Sequence, residues 1–251
     1  MAQNYYITTP IYYVNDKPHI GHAYTTLACD VLARFKRLDG FDVTFLTGTD
    51  EHGQKVEIAA QSKAVSPQSF TDEVSQNFRD LTGQMNFSND DFIRTTEPRH
   101  KLACQEIWRR LQERGHIRLG NYAGWYSVRD EAFFTETEVV DGKAPTGAPV
   151  EWVEEPSYFF NLSHWQQPLL DFYAENPDFV GPESRFNEVK SFVKGGLRDL
   201  SVSRASFKWG IPVPGDPDHV MYVWLDALTN YLTASGWPGD GASGDQKKRE
   251  E

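Results

Sequence analysis

Pro18-His19-Ile20-Gly21-His22 sets two imidazoles three positions apart around a glycine, where a loop enters a helix. A helix start exposes unpaired N–H groups and the positive end of its dipole, and both attract phosphate. His19 and His22 can add hydrogen bonds to phosphoryl oxygens there. Gly21, lacking a Cβ, lets a nucleotide ring approach the backbone. The plainer alternative is a pair of solvent-facing capping histidines around a turn glycine.

Three further segments carry possible chemistry. Gly48-Thr49-Asp50-Glu51-His52-Gly53 follows a strand-like run, and ligands of parallel sheets bind at the carboxyl ends of strands. Asp50 can pair with a ligand ammonium through a charge-assisted bond; its alternative is a turn carboxylate that caps a helix. In Tyr222-Val223-Trp224-Leu225-Asp226-Ala227-Leu228-Thr229-Asn230-Tyr231, helical spacing puts Trp224, Leu228 and Tyr231 on one face. Such a stripe is either core or pocket wall. Trp209-Gly210-Ile211-Pro212-Val213-Pro214 reads as a stiff aromatic-proline turn or a loop packing element.

These segments need elements to hold them. Tyr5–Thr9, Asp42–Leu46 and Phe92–Thr95 read as strands, rich in aromatic and β-branched residues. Helical text runs over 21–38, with the stripe Ala23, Leu27, Val31, Phe35 and Leu38, and over 54–63. Ser66-Pro67 is a cap followed by a first-turn proline, opening a helix with the stripe Phe70, Val74, Phe78 and Leu81. Another helix covers 98–114. Strands alternating with helices over 1–115 predict a parallel sheet covered on both faces. The aromatic, Gly- and Pro-punctuated text of 116–160 predicts a small antiparallel insertion, followed by helices over 163–175 and 185–194. β text resumes from Ser201, and a strand over 219–223 leads into a helix over 225–233. Residues 239–251 read as a solvated, disordered tail.

The chain has 251 residues, 25 basic and 36 acidic, for a formal charge of −11. That balance excludes a wholly basic nucleic-acid coat but not a local basic patch. There is no apolar run of about 18 residues and no charged-then-apolar leader, so neither a membrane span nor an export signal is expected, and the location reads as cytoplasmic. Cys29 and Cys104 cannot build a disulfide framework or a four-cysteine zinc site.

Taken together, the four segments resemble a class I aminoacyl-tRNA synthetase, and within that class the methionyl-tRNA synthetases. His19-Ile20-Gly21-His22 marks the class. Thr9-Pro10-Ile11-Tyr12-Tyr13-Val14-Asn15, the Gly48–Gly53 stretch and the Tyr222–Tyr231 stretch point to methionine. The resemblance runs from about Tyr5 to about Pro238. It implies an α/β fold: a Rossmann-like parallel sheet with an inserted small α+β connective domain. The implied division is 1–115 as the first half of the nucleotide-binding catalytic domain, 116–206 as the insertion, and 207–238 as the start of the second half.

The resemblance also implies roles. His19 and His22 would contact ATP phosphates, with Gly21 under the adenosine. Pro10, Ile11 and Tyr13 would form one wall of a methionine pocket, and Trp224, Ala227, Leu228 and Tyr231 the other. Asp50 would hold the ammonium, His52 would lie close to the substrates, and Arg204 would brace the site near Asp50. Mg²⁺ would accompany ATP, methionyl-adenylate would form, and tRNA(Met) would accept the methionyl group.

Two departures from the family stand out. Trp125-Tyr126-Ser127-Val128-Arg129-Asp130-Glu131 has no cysteine where relatives carry zinc knuckles, so no zinc is expected. The family's Lys-Met-Ser-Lys-Ser-type signature and anticodon-reading domain are absent from this sequence, which predicts a fragment with little or no aminoacylation. Two rival readings follow: a non-catalytic methionine- or ATP-binding fragment, or a class I synthetase for a branched aliphatic amino acid. Members of that last group usually carry a larger insertion than 116–206 allows.

Overall fold

Residues 2–130 and 132–239 are described by the computed structural model; beyond Gly239, the expected polar tail lies outside the described residues. The first part of the chain alternates as the sequence predicts. It runs β1 (Asn4–Thr8), β2 (Tyr12–Tyr13), α1 (Ile20–Leu38), β3 (Asp42–Asp50), α2 (Gln54–Ser62), α3 (Pro67–Gln84), β4 (Asp91–Arg94) and α4 (Pro98–Glu113). β3 is the centre of a parallel sheet. β1 pairs with its first half, from Asn4↔Asp42 to Thr8↔Leu46, and β4 with its second, from Leu46↔Asp91 to Thr49↔Arg94. β2 pairs with its end, Tyr12↔Thr49 and Tyr13↔Asp50.

A parallel sheet is stable only when both faces are covered. On one face, Ala33 of α1 packs on Val43 and Phe45. On the other, Val56, Ala60, Phe70, Val74 and Phe78 of α2 and α3 close over Tyr12, Val14 and Phe92. Ser66 caps α3 with its hydroxyl on the Ser69 amide at 3.1 Å, and Pro67 occupies the first turn. Gly48 is required by packing: a Cβ there would sit 2.0 Å from the carbonyl oxygen of Ile93 on β4.

α1 corrects one expectation. Its stripe does not pack inward: Leu27, Val31, Phe35 and Leu38 are all exposed, Leu38 by 90 %. The face against the sheet is Thr26, Asp30 and Ala33. Asp30 is tied to Ser88, whose amide and hydroxyl lie 2.6 and 2.7 Å from Oδ1, and to Arg34 at 2.7 Å. Paired in this way, a buried carboxylate is tolerable.

The chain then turns antiparallel, as expected. β5 (Ile117–Ser127) pairs with β7 (Glu151–Phe160) over ten residues, from Ile117↔Phe160 to Tyr126↔Glu151. β6 (Ala132–Phe134) flanks β5; after α5 (Gln166–Glu175) and α6 (Glu183–Lys194), β8 (Leu200–Ser201) pairs with β7. A second antiparallel sheet joins β9 (Ser203–Arg204), β10 (Pro212–Val213) and β11 (Asp216–Met221), in the order β10-β11-β9. Cys104 and Trp108 of α4 pack with Ile117, Val202, Ile211, Val213 and Met221, fixing both antiparallel sheets to the parallel part.

α7 (Val223–Ala234) closes the described chain and is inverted like α1. Its buried residues are Asp226, Thr229, Asn230 and Thr233, whereas Trp224 and Leu228 are 53 % and 55 % exposed. Thr229 and Thr233 turn their hydroxyls onto the carbonyls of Leu225 and Thr229, at 2.6 and 3.0 Å.

Candidate active site

The end of β3 and the start of α7 face each other across an open cavity. Tyr13, Asp50, His52, Gly53 and Gln54 line it from the parallel sheet. Tyr126, Phe207, Met221, Tyr222, Val223 and Asp226 line it from the antiparallel sheets and α7. The pairing Tyr13↔Asp50 sets those two side by side at the strand ends, and the Val14 amide donates to the Asp50 carbonyl at 3.2 Å.

Among the predicted pocket residues, Tyr13, Asp50 and His52 meet at this cavity. Pro10, Ile11, Trp224, Ala227, Leu228 and Tyr231 do not line it. Pro10 is exposed and Ile11 half-buried on the link between β1 and β2. Tyr231 lies against β1, where the Tyr6 hydroxyl donates to its carbonyl at 3.0 Å. Tyr126, Phe207, Tyr222, Val223 and Asp226 are wall residues that sequence reasoning did not single out. Tyr222, Val223 and Asp226 stood inside a run already marked as aromatic, but helical spacing favoured Trp224 and its neighbours.

Glu51 sets the geometry of the Asp50–His52 turn. Its side chain is fully buried and gripped by Arg94, Nε to Oε1 at 2.7 Å and Nη2 to Oε2 at 2.9 Å. Thr49 and Thr96 donate to the same carboxylate at 2.7 and 2.6 Å. The Trp209 indole N–H donates to the Glu51 carbonyl at 2.6 Å, and the Gly53 amide donates to the Trp209 carbonyl at 3.0 Å. With Glu51 pulled inward and its backbone clamped, the residues on either side turn towards the cavity. The Trp209–Pro214 segment therefore packs against this turn.

His19 is the N-cap of α1. Its Nδ1 accepts the Gly21 amide at 3.0 Å, while Nδ1 of His22 accepts the His19 amide at 3.0 Å, a reciprocal capping box built from two imidazoles. The rings lie 3.9 Å apart. Tyr12 supports them from below: its ring is 4.7 Å from that of His22, and its hydroxyl meets Thr26 Oγ1 at 2.8 Å. Burial, then the proximity of His19, holds the His22 pKa below its ordinary value, which favours the neutral ring. Gly21 has a local reason to be glycine, since a Cβ would stand 2.9 Å from Cε1 of His19.

Arg204 is buried under the opposite wall. Its guanidinium lies 3.5 Å over the Tyr222 ring and 3.8 Å from Glu155, and it donates to Ser201 Oγ at 2.5 Å. These contacts brace Tyr222. A second cavity shares Gln54 and Tyr126 with the first and is lined by Arg204, Glu151 and Glu155.

His100, Cys104 and Asp226 place one potential metal-ligand atom each within 4.8 Å of one another. His100 Nε2 and Asp226 Oδ1 are 2.8 Å apart, a hydrogen-bond spacing. Ligands on one tetrahedral zinc stand about 3.3 Å apart or more.

A histidine-capped helix beside the carboxyl ends of parallel strands, with an antiparallel insertion closing the opposite side, defines a class I aminoacyl-tRNA synthetase catalytic fold. The chain belongs to the family described as tRNA synthetases class I (M), whose model matches residues 5–151 and 146–249. It is 67 % identical over 239 residues to a methionine–tRNA ligase of Rickettsia felis, covering 95 % of this chain and 47 % of that protein. It is 54 % identical over 251 residues to the methionine–tRNA ligase of Halalkalibacterium halodurans, covering 95 % and 38 %. It superposes on Mycobacterium tuberculosis methionyl-tRNA synthetase in complex with methionyl-adenylate with a TM-score of 0.90 at 55 % identity, covering 96 % of this chain and 48 % of that one. Against the apo form of that enzyme the TM-score is 0.79 at 52 % identity, covering 97 % and 47 %. The chain thus spans about half the length, or less, of the relatives it matches. No helix among the described residues is long and apolar enough to cross a membrane.

Proposed function

We propose that this chain binds methionine and ATP for formation of methionyl-adenylate, the first step of charging tRNA(Met). The observation that carries the reading is the cavity in which Tyr13, Asp50 and His52 face Phe207, Met221, Tyr222 and Val223. The carboxylate of Asp50 suits the ammonium of an amino acid. The aromatic and thioether lining suits a flexible, polarisable methionine side chain, which gains about 0.3–1.5 kcal/mol from sulfur–aromatic contact.

His19 and His22 would hold the ATP phosphates at the α1 N-terminus, with Mg²⁺ accompanying the nucleotide. Activation is attack of the methionine carboxylate on the α-phosphorus, with pyrophosphate leaving. The chain's part in this is positioning and charge compensation. Trp224, Ala227, Leu228 and Tyr231, with Pro10 and Ile11, remain in the proposal as residues that meet the ligand once it is seated. The division into 1–115, 116–206 and 207–238 belongs to the same reading, as does a cytoplasmic location.

The test is calorimetric titration of the chain with methionine, isoleucine, valine and leucine, and with a non-hydrolysable methionyl-adenylate analogue. Saturable binding of methionine and the analogue, with the aliphatic residues much weaker, supports the reading. Equal binding of all four amino acids, or none, overturns it.

A further inference from the structure

Beneath the cavity floor lies a buried chain of polar groups that no element could supply alone. His52, on the turn after β3, brings Nδ1 to 2.7 Å from Oδ2 of Asp226 on α7. The other carboxylate oxygen of Asp226 is 2.8 Å from Nε2 of His100 on α4. The Thr233 hydroxyl lies 3.3 Å from Nδ1 of His100. The side chains of His52, Asp226 and His100 are 5 %, 2 % and 0 % exposed. His52 and Asp226 line the cavity, whereas His100 does not reach it.

We propose that Asp226 and His100 are positioning residues for the methionine site, fixing His52 as the tautomer that carries its proton on Nδ1. This rests on the functional reading above and deepens it. The carboxylate can only accept, so each neutral imidazole must donate to it. His52 therefore donates from Nδ1, and its Nε2 is left as an acceptor with no partner among the described residues. His100 donates from Nε2 and holds the carboxylate from behind. With the imidazole neutral, the cavity gains an acceptor two residues beyond the carboxylate of Asp50, in keeping with a ligand that presents an ammonium group. The same bonds tie α7, which begins at the wall residue Val223, to the turn that carries Asp50.

Stability alone does not account for the network. A buried ion or ion pair is commonly no more stabilising than apolar packing of the same volume. Nor is this a nucleophilic Cys–His–Asp site: Cys104 Sγ is 3.2 Å from His100 Nε2 but fully buried, and burial, then the Asp226 charge, pushes its thiol far up.

The test combines ¹⁵N-histidine NMR with methionine calorimetry on the chain and on the variants His100→Leu, His100→Gln and Asp226→Asn. The expected wild-type spectrum shows His52 protonated on Nδ1 and His100 on Nε2. His100→Leu and Asp226→Asn are expected to lower methionine affinity about tenfold or more and to lose the single His52 tautomer. Gln at position 100 can still donate to Asp226, and should recover much of the affinity lost with Leu. A His52 ring protonated on Nε2 in the wild type overturns the inference. So does wild-type affinity in folded His100→Leu and Asp226→Asn. Should either variant fail to fold, the wild-type tautomers and His100→Gln still decide. A wild-type chain that binds no methionine defeats the functional reading instead, and the tautomer readout then judges the network by itself.

Discussion

The backbone N–H of His19 donates to Nδ1 of His22 at 3.0 Å, so the helix cap and the phosphate-binding candidate are one structure. A neutral imidazole whose Nδ1 accepts must carry its proton on Nε2. Both rings accept through Nδ1, and the first turn of α1 therefore presents two oriented Nε2–H donors. Replacing His19 with Asn separates the two roles. Asn is a good N-cap, so stability to chemical denaturation should change by only a few tenths of a kcal/mol. Affinity for the adenylate analogue should fall roughly tenfold, while affinity for methionine alone stays near wild type. Equal loss of both affinities would count against the phosphate assignment.

Acid should undo this cap. The folded-state pKa of His22 lies below its ordinary value of 6.5, because burial and then His19 disfavour the charged ring. A base whose folded pKa is depressed contributes stability that is present above the unfolded value and lost as pH falls through the folded one. Protonation also removes the Nδ1 acceptor from the His19 amide. Hydrogen exchange at the first amides of α1 should therefore accelerate, relative to intrinsic rates, as pH falls below about 6.5. The acceleration should vanish in His22→Gln; persistence there would place its cause elsewhere.

Asp50→Asn removes charge with little change of shape. A hydrogen bond to a charged group contributes about 1.5–3 kcal/mol, so methionine affinity should fall roughly 10- to 100-fold. Binding of a methionine analogue without the ammonium group should be weak in both proteins and nearly indifferent to the substitution. A comparable loss for that analogue would show that Asp50 serves the fold rather than the ligand.

Arg94 is different, because its work is structural. Arg94→Met strands the Glu51 carboxylate, which has 0 % exposure, without its cation. Breaking a buried pair on one side costs about 3–5 kcal/mol, to be measured by denaturant unfolding. Removing both charges, with Glu51→Gln added, should recover part of that loss. If Arg94→Met costs under about 1 kcal/mol, the clamp on the Asp50–His52 turn is not what the contacts imply.

The alternation of strands and helices was legible because its signals are local: the aromatic and β-branched runs at 5–9 and 42–46, and the Ser66-Pro67 start of α3. His19, His22, Asp50 and His52 were legible for the same reason, each standing at a strand or helix end. The inward faces of α1 and α7 were not. Periodicity marks a stripe, not the side that packs, and here Asp30 and Asp226 turn inward because partners far along the chain receive them. His52 lies 174 positions from Asp226, and Glu51 lies 43 from Arg94. Likewise, Tyr126 stands at the cavity on a strand paired antiparallel with β7, a pairing that no single segment encodes.

The most direct measurement is a crystal structure of this chain soaked with methionine and a non-hydrolysable ATP analogue. The expected result is the methionine ammonium within hydrogen-bond distance of Asp50, the thioether among Tyr13, Tyr222 and their neighbours, and phosphate oxygens at the Nε2 atoms of His19 and His22. Methionine bound away from Asp50, or phosphates away from the start of α1, would contradict it.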